Sequence, residues 1–79
     1  MTKDTLSKAV ERFFVKYFED HGHNLPPPGL YDRILREVEE PLLKITLLKT
    51  SWNQQKAAKI LGMSRNTLRK KIESFQLMQ

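Results

Sequence analysis

The feature that most constrains this 79-residue chain is a turn built on small residues in its last third. Ala58, Gly62 and Leu68 follow one another at intervals of four and six residues within residues 53–75. Two helices that cross at a sharp angle require a small residue where their backbones meet, a turn residue that tolerates positive φ, and an apolar anchor on the second helix. The three residues meet these requirements in order, so the spacing predicts a helix-turn-helix.

Capping residues indicate where the helices on either side of this turn begin. Asn53 is a good N-cap for a third helix over residues 54–61, and Ser64 for a fourth helix that ends near Ser74 or Phe75. Short polar side chains favour these positions because they accept hydrogen bonds from the free N–H groups of the first turn. The inner face of the fourth helix is expected to consist of Leu68, Ile72 and Phe75.

The positive charge of the chain is concentrated in its C-terminal half. Residues 1–40 carry six basic and eight acidic side chains, whereas residues 41–79 carry eight basic side chains and a single acidic one, Glu73. The net charge of +5 therefore arises from one half of the chain. This asymmetry favours a polyanionic partner for the C-terminal half and leaves the N-terminal half free for another role.

The first helix is predicted to carry a broad apolar stripe. We expect its N-cap at Asp4 or Thr5 and its end at Gly22. Four aromatic rings on one stripe exceed the needs of a short surface helix, so the stripe predicts burial against more than one partner helix. Its members are Leu6, Val10, Phe13, Phe14, Tyr17 and Phe18.

A stiff connector over residues 22–29 is predicted to separate the first two helices, because three successive prolines favour an extended conformation. Leu25 within the connector is expected to fold back onto the core. The second helix is predicted over residues 30–50. Its apolar pattern keeps helical register across Pro41, so we prefer one kinked helix to two helices broken at the proline.

The second helix is apolar around most of its circumference beyond Pro41, and such a helix is normally buried on several sides. A chain of this length buries only about 60–65% of its unfolded surface, so a core formed by one copy would be marginal. Both observations favour oligomerisation. Trp52 is expected to fill the core rather than to stack on a base.

Several other classes of function are disfavoured. The absence of cysteine suits a reducing cytoplasm and excludes disulfides. His21 and His23 do not converge on one helix face, so a metal site is not expected. No cofactor is expected either. Glu37, Glu39 and Glu40 are interpreted as solvated charge, because no nucleophile accompanies them. With no signal peptide or membrane span, we expect a cytoplasmic protein without a membrane or small-molecule partner.

Five short segments of the C-terminal half carry a resemblance to a known family: residues 40–43, 53–54, 57–58, 61–62 and 65–71. The stretch that contains them, residues 39–72, resembles the C-terminal domain of the Fis family. That family includes the nucleoid protein Fis and the DNA-binding domains of NtrC-type enhancer-binding activators. Upstream, residues 25–31 resemble the same segment in alphaproteobacterial NtrC proteins, so the likeness covers nearly the whole chain.

The resemblance implies a single all-α domain with four helices that forms a homodimer and associates with the nucleoid. Residues 1–50 would supply two helices to an intertwined bundle, and residues 51–79 would form the helix-turn-helix. The many-sided apolar second helix agrees with this arrangement. The dimer interface would contain Leu6, Val10, Phe13, Phe14, Tyr17, Phe18, Ile34, Val38, Leu42, Leu43, Ile45 and Leu47.

The fourth helix is expected to read DNA. Arg65 at its start can present its planar fork to guanine O6 and N7, and the resemblance implies the same contact. Ser64, where Fis has asparagine, and Asn66 are the other expected base contacts, although Asn66 is equally consistent with capping and solvation. The expected phosphate contacts are Asn53, Gln55, Thr67, Arg69, Lys70 and Lys71.

The sequence thus predicts a non-enzymatic homodimer that binds double-stranded DNA selectively in transcriptional regulation. The first hypothesis is a domain of an NtrC-like, σ54-dependent nitrogen regulator whose receiver and ATPase modules lie elsewhere in a longer parent protein, since no glycine-rich phosphate loop occurs here. The alternatives are a stand-alone Fis-like protein that bends DNA and a helical protein-interaction module. RNA is disfavoured because a recognition helix does not fit the narrow major groove of an A-form duplex.

Overall fold

A computed structural model describes residues 3–79 and contains four helices, with no strand in that range. The helices are α1 (Lys3–His21), α2 (Leu30–Lys49), α3 (Gln54–Leu61) and α4 (Arg65–Phe75). The all-α prediction is therefore confirmed. Within residues 3–79, no helix combines the length and hydropathy that a bilayer crossing requires.

The N-terminal unit, described over residues 3–30, consists of α1 and the connector. The predicted N-cap at Asp4 or Thr5 is wrong, because both residues already lie within the helix. The predicted end is confirmed: Gly22 adopts a φ of 61°, and its N–H donates to the carbonyl of Glu19 at 3.0 Å. Leu25 does not fold back onto a core, since 78% of it is exposed.

The aromatic side chains of α1 contact one another along the helix. Phe13 and Phe14 meet edge to face at 5.0 Å between ring centroids, and Tyr17 and Phe18 do so at 5.7 Å. His21 packs on Tyr17 and approaches its carbonyl oxygen at 2.8 Å through Nδ1. These local contacts order the stripe but leave much of its apolar surface exposed.

The C-terminal unit, residues 31–79, packs α3 and α4 against one side of α2. The helix α2 is continuous through Pro41, which confirms one helix rather than two helices broken at the proline. Leu43 and Leu47 lie on the buried side of α2, while Leu42, Ile45 and Leu48 on the other sides are about half exposed. Burial on several sides is therefore not found within one chain. The core consists of Leu43, Leu47, Ala57, Ala58, Leu68 and Ile72.

The turn between α2 and α3 contains two left-handed residues that are not glycine. Ser51 and Trp52 have φ values of 53° and 61°. The N–H of Trp52 donates to the carbonyl of Leu47 at 2.7 Å, which directs the chain back across the end of α2. The Trp52 ring is partly buried against the core, as predicted, and its Nε1 has no hydrogen-bond partner among the described residues. No sequence signal anticipated this backbone conformation.

Candidate nucleic-acid interface

The turn between α3 and α4 is built as the small-residue spacing predicts. Gly62 adopts a φ of 79°, and its N–H donates to the carbonyl of Ala58 at 2.9 Å. Met63 donates to the same carbonyl at 3.0 Å, which closes the end of α3. Ala58 is buried, so α4 can approach α3 closely at this point. A Cβ at position 62 would meet no atom within 4 Å, so glycine is needed for its conformation rather than for space.

Both predicted N-caps are confirmed. Oδ1 of Asn53 accepts a hydrogen bond from the N–H of Lys56 at 3.0 Å. Oγ of Ser64 accepts from the N–H of Thr67 at 3.0 Å and donates to Oγ1 of Thr67 at 2.9 Å. The Ser64 hydroxyl is thus already engaged in capping. A helix start has more free N–H groups than one cap can satisfy, so the starts of α3 and α4 both remain favourable places for a phosphate.

The helix α4 has a buried apolar side and an exposed polar side. Leu68 and Ile72 are buried and hold the helix on the core. The exposed side includes most of the residues that were predicted to contact DNA. These are Ser64, Arg65, Asn66, Thr67, Arg69 and Lys70, and Gln55 on α3 is exposed as well.

A shallow surface depression lies between the starts of α3 and α4 and is lined by Gln54, Arg65, Asn66 and Arg69. Within it, Oδ1 of Asn66 accepts a hydrogen bond from Nη2 of Arg69 at 2.5 Å. Gln54 was not among the predicted contacts, although it follows the Asn53 cap directly. Its position as the first residue of α3 is the sequence signal that could have placed it at this depression.

Lys71 differs from the two basic residues before it. Its Nζ lies 2.5 Å from Oε2 of Glu39 on α2, and the two side chains are 35% and 28% exposed. The interpretation of Glu39 as solvated charge is therefore wrong. A second contact joins the same helices, because the guanidinium carbon of Arg36 lies 4.8 Å from the ring centroid of Phe75.

The residues predicted for the dimer interface fall into two groups. Leu43 and Leu47 have no exposed surface, because they lie in the core of the C-terminal unit, and this placement corrects their assignment to the dimer interface. The others retain surface that a second chain could cover: Phe14, Tyr17 and Ile34 are half-buried, and seven are 42–68% exposed. These seven are Leu6, Val10, Phe13, Phe18, Val38, Leu42 and Ile45.

Comparison with protein families places residues 34–75 within the sequence model described as "Bacterial regulatory protein, Fis family". This region includes most of α2, the whole of α3 and all of α4. The family match therefore rests on the helix-turn-helix and the helix that supports it.

Individual relatives are of two kinds. The DNA-binding transcriptional regulator NtrC of Azospirillum brasilense is 54% identical over 72 residues, which are 91% of this chain but 15% of that protein. The chain thus spans a small part of the length of such relatives. A protein of Neisseria meningitidis serogroup A, named as Fis-like and DNA-binding, is 39% identical over 98% of this chain and 96% of its own length. A protein of the same name in Ralstonia nicotianae is 35% identical over 99% of this chain and all of its own length.

Proposed function

The chain belongs to the Fis family of bacterial regulatory proteins, and from this premise we propose that it binds double-stranded DNA as a homodimer in transcriptional regulation. One observation carries the proposal: α4, the second helix of the helix-turn-helix, begins at Arg65 and has an exposed, cationic side. A helix of this kind fits the major groove of B-form DNA, where each base pair presents a distinct pattern of donors and acceptors.

Arg65 is the proposed base-reading residue. It is the first residue of α4, it is exposed, and it lies beside Gln54 and Arg69 in one depression. The first residues of a recognition helix approach the base edges most closely. An arginine fork that bonds to guanine O6 and N7 contributes about 1–3 kcal/mol of discrimination against the wrong base.

The backbone of the duplex would be held from both helix starts. Asn53 and Ser64 cap the two helices, so free N–H groups at each start could bind a phosphate. The exposed side chains Gln55, Thr67, Arg69 and Lys70 are the further proposed phosphate contacts. Together they would fix the register of α4 in the groove without reading sequence.

A second copy of the chain is the proposed partner of the exposed apolar stripes. On α2, the exposed residues Tyr31, Leu35, Val38, Leu42 and Ile45 follow one another at intervals of four and three residues, the spacing with which helices pair along a seam. On α1, Phe13 and Phe18 of the aromatic stripe are exposed as well. Most of the stability of a helix in a protein comes from packing of its apolar face, so an uncovered α1 would not be stable by itself.

Within the family, we propose a domain of an NtrC-like regulator rather than a stand-alone Fis-like protein. The observation that favours this choice is the higher identity, 54% to the Azospirillum regulator against 39% to the Neisseria protein. Receiver and ATPase modules and a role in σ54-dependent nitrogen regulation belong to this proposal. A Fis-like protein that bends DNA is the alternative, and the circular permutation of a bound site in a gel-shift experiment would measure the bend.

The test of DNA binding is selection followed by competition. Duplexes that bind the chain are selected from a random pool, and the affinity of the best duplex is compared with that of its scrambled version. We expect the selected duplex to have two related half-sites and to bind at least a hundredfold more tightly, a modest ratio for a specific binder. Equal affinity for the two duplexes would overturn the proposal and favour a module that binds acidic proteins.

A further inference from the structure

Three consecutive basic residues on α4 occupy different surroundings. Arg69 and Lys70 are exposed, whereas Lys71 is partly buried and its ammonium group contacts the carboxylate of Glu39. A carboxylate this close to an ammonium largely cancels the attraction between that ammonium and a more distant phosphate. Lys71 therefore has less to offer DNA than its two neighbours.

The contact between Lys71 and Glu39 belongs to a series along one side of α2. One turn away, the Arg36 guanidinium lies over the Phe75 ring at 4.8 Å. Further along the same side, Leu43 is buried in the core with α4 residue Leu68. Side chains three or four residues apart share one side of a helix. The helix α4 is thus fixed to α2 at several levels along its length.

The ion pair between Lys71 and Glu39 is not expected to add much to the stability of the fold. Partly exposed pairs contribute little to the free energy of folding, because the attraction is offset by lost hydration and side-chain entropy. What such a contact does supply is direction, since the short distance between Nζ and Oε2 restricts how α4 can rotate on α2. The ion pair is therefore better suited to setting the orientation of α4 on α2 than to stabilising the fold.

We infer that Lys71 is a positioning residue, which through Glu39 fixes the angle of the recognition helix α4 on α2. The inference rests on the proposed function, because it concerns two recognition helices on one duplex. In the proposed dimer, α2 also carries the exposed stripe that meets the second copy. The angle between α2 and α4 would then determine the distance between the two copies of α4, and with it the spacing of the half-sites.

The test compares Lys71→Gln and Glu39→Gln with two matched controls. Lys70→Gln removes the neighbouring exposed ammonium on α4, and Glu40→Gln removes the neighbouring exposed carboxylate on α2. Each variant and the wild type are titrated with the selected duplex over a range of salt concentrations. They are also titrated with duplexes whose half-sites are one or two base pairs closer together or farther apart. Circular dichroism verifies that each variant is folded.

We expect Lys71→Gln and Glu39→Gln to bind the altered spacings with a penalty at least threefold smaller than that of the wild type. Neither control should change that penalty. The salt slope should fall by about one for Lys70→Gln, as for a lost phosphate contact, and by less than half of that for Lys71→Gln. Lys71→Arg keeps a positively charged side chain long enough to contact Glu39, so this variant should retain the wild-type spacing preference.

The failure of this inference differs from the failure of the proposed function. If the wild type binds the selected duplex but Lys71→Gln lowers the salt slope as much as Lys70→Gln does and leaves the spacing preference unchanged, Lys71 contacts phosphate and the inference is overturned alone. If the wild type binds no duplex selectively, the proposed function fails and the inference fails with it.

Discussion

The Oδ1 atom of Asn66 accepts a hydrogen bond from Nη2 of Arg69, so the two side chains form one unit on the exposed side of α4. The sequence left the role of Asn66 open between reading a base and supporting its surroundings. The hydrogen bond favours support, because it directs the amide oxygen of Asn66 toward the Arg69 guanidinium. The same hydrogen bond restricts the rotamers of Arg69, for which we propose a phosphate contact.

Replacement of Asn66 by alanine is expected to weaken binding to selected and scrambled duplexes by the same factor. The loss should be about three- to tenfold, the effect of one hydrogen bond that orients a charged side chain. Binding titrations on both duplexes measure it. A loss confined to the selected duplex, with a changed preference at one base pair, would instead assign Asn66 to base reading.

Arg65→Ala is expected to relax the preference at one base pair of each half-site. The lost discrimination should be about 1–3 kcal/mol, because the guanidinium fork is the only part of the side chain that distinguishes guanine. Repeating the selection with the variant measures the change.

Lys70→Ala is the control for Arg65→Ala, since Lys70 is also an exposed basic residue of α4. This variant should weaken all duplexes alike and lower the salt slope by about one. Equal losses on selected and scrambled DNA for Arg65→Ala would remove Arg65 from the base-reading role.

Local signals in the sequence were sufficient to predict the helix-turn-helix. The caps Asn53 and Ser64 and the left-handed Gly62 act through neighbouring atoms, so residue type and spacing reveal them. The ion pair of Lys71 with Glu39 joins different helices, and a lysine in a basic run gives no sign of such a partner. For the same reason, the sequence could not distinguish the buried side of α2 from the exposed ones.

Backbone conformation imposed by tertiary packing was also beyond the sequence. Ser51 and Trp52 are left-handed although neither is a glycine, because the chain must turn at the end of α2 and bring the Trp52 ring against the core. The error at Leu25 has a related cause, since hydrophobicity alone does not determine whether a neighbouring surface exists for a side chain.

Gly62→Ala is expected to destabilise the fold by about 1–2 kcal/mol, because the backbone of an alanine is strained at a φ of 79°. The space around position 62 is open, so the loss reports the backbone and not a clash. Urea denaturation followed by circular dichroism measures it. Gly62→Asn is the matched control and should lose less, since asparagine tolerates the left-handed region. An alanine variant as stable as the wild type would contradict the requirement for positive φ.

Leu42→Glu is expected to convert the proposed dimer into monomers. Leu42 lies on the exposed stripe of α2, is 53% exposed in one chain, and would carry an unpaired charge into an interface between two copies. Sedimentation equilibrium at micromolar concentration measures the change in mass. Lys44→Glu introduces the same carboxylate on the same helix outside the stripe, so this variant should remain dimeric. A wild-type chain that sediments as a folded monomer, or a Leu42→Glu variant that stays dimeric, would show that the α2 stripe does not mediate self-association.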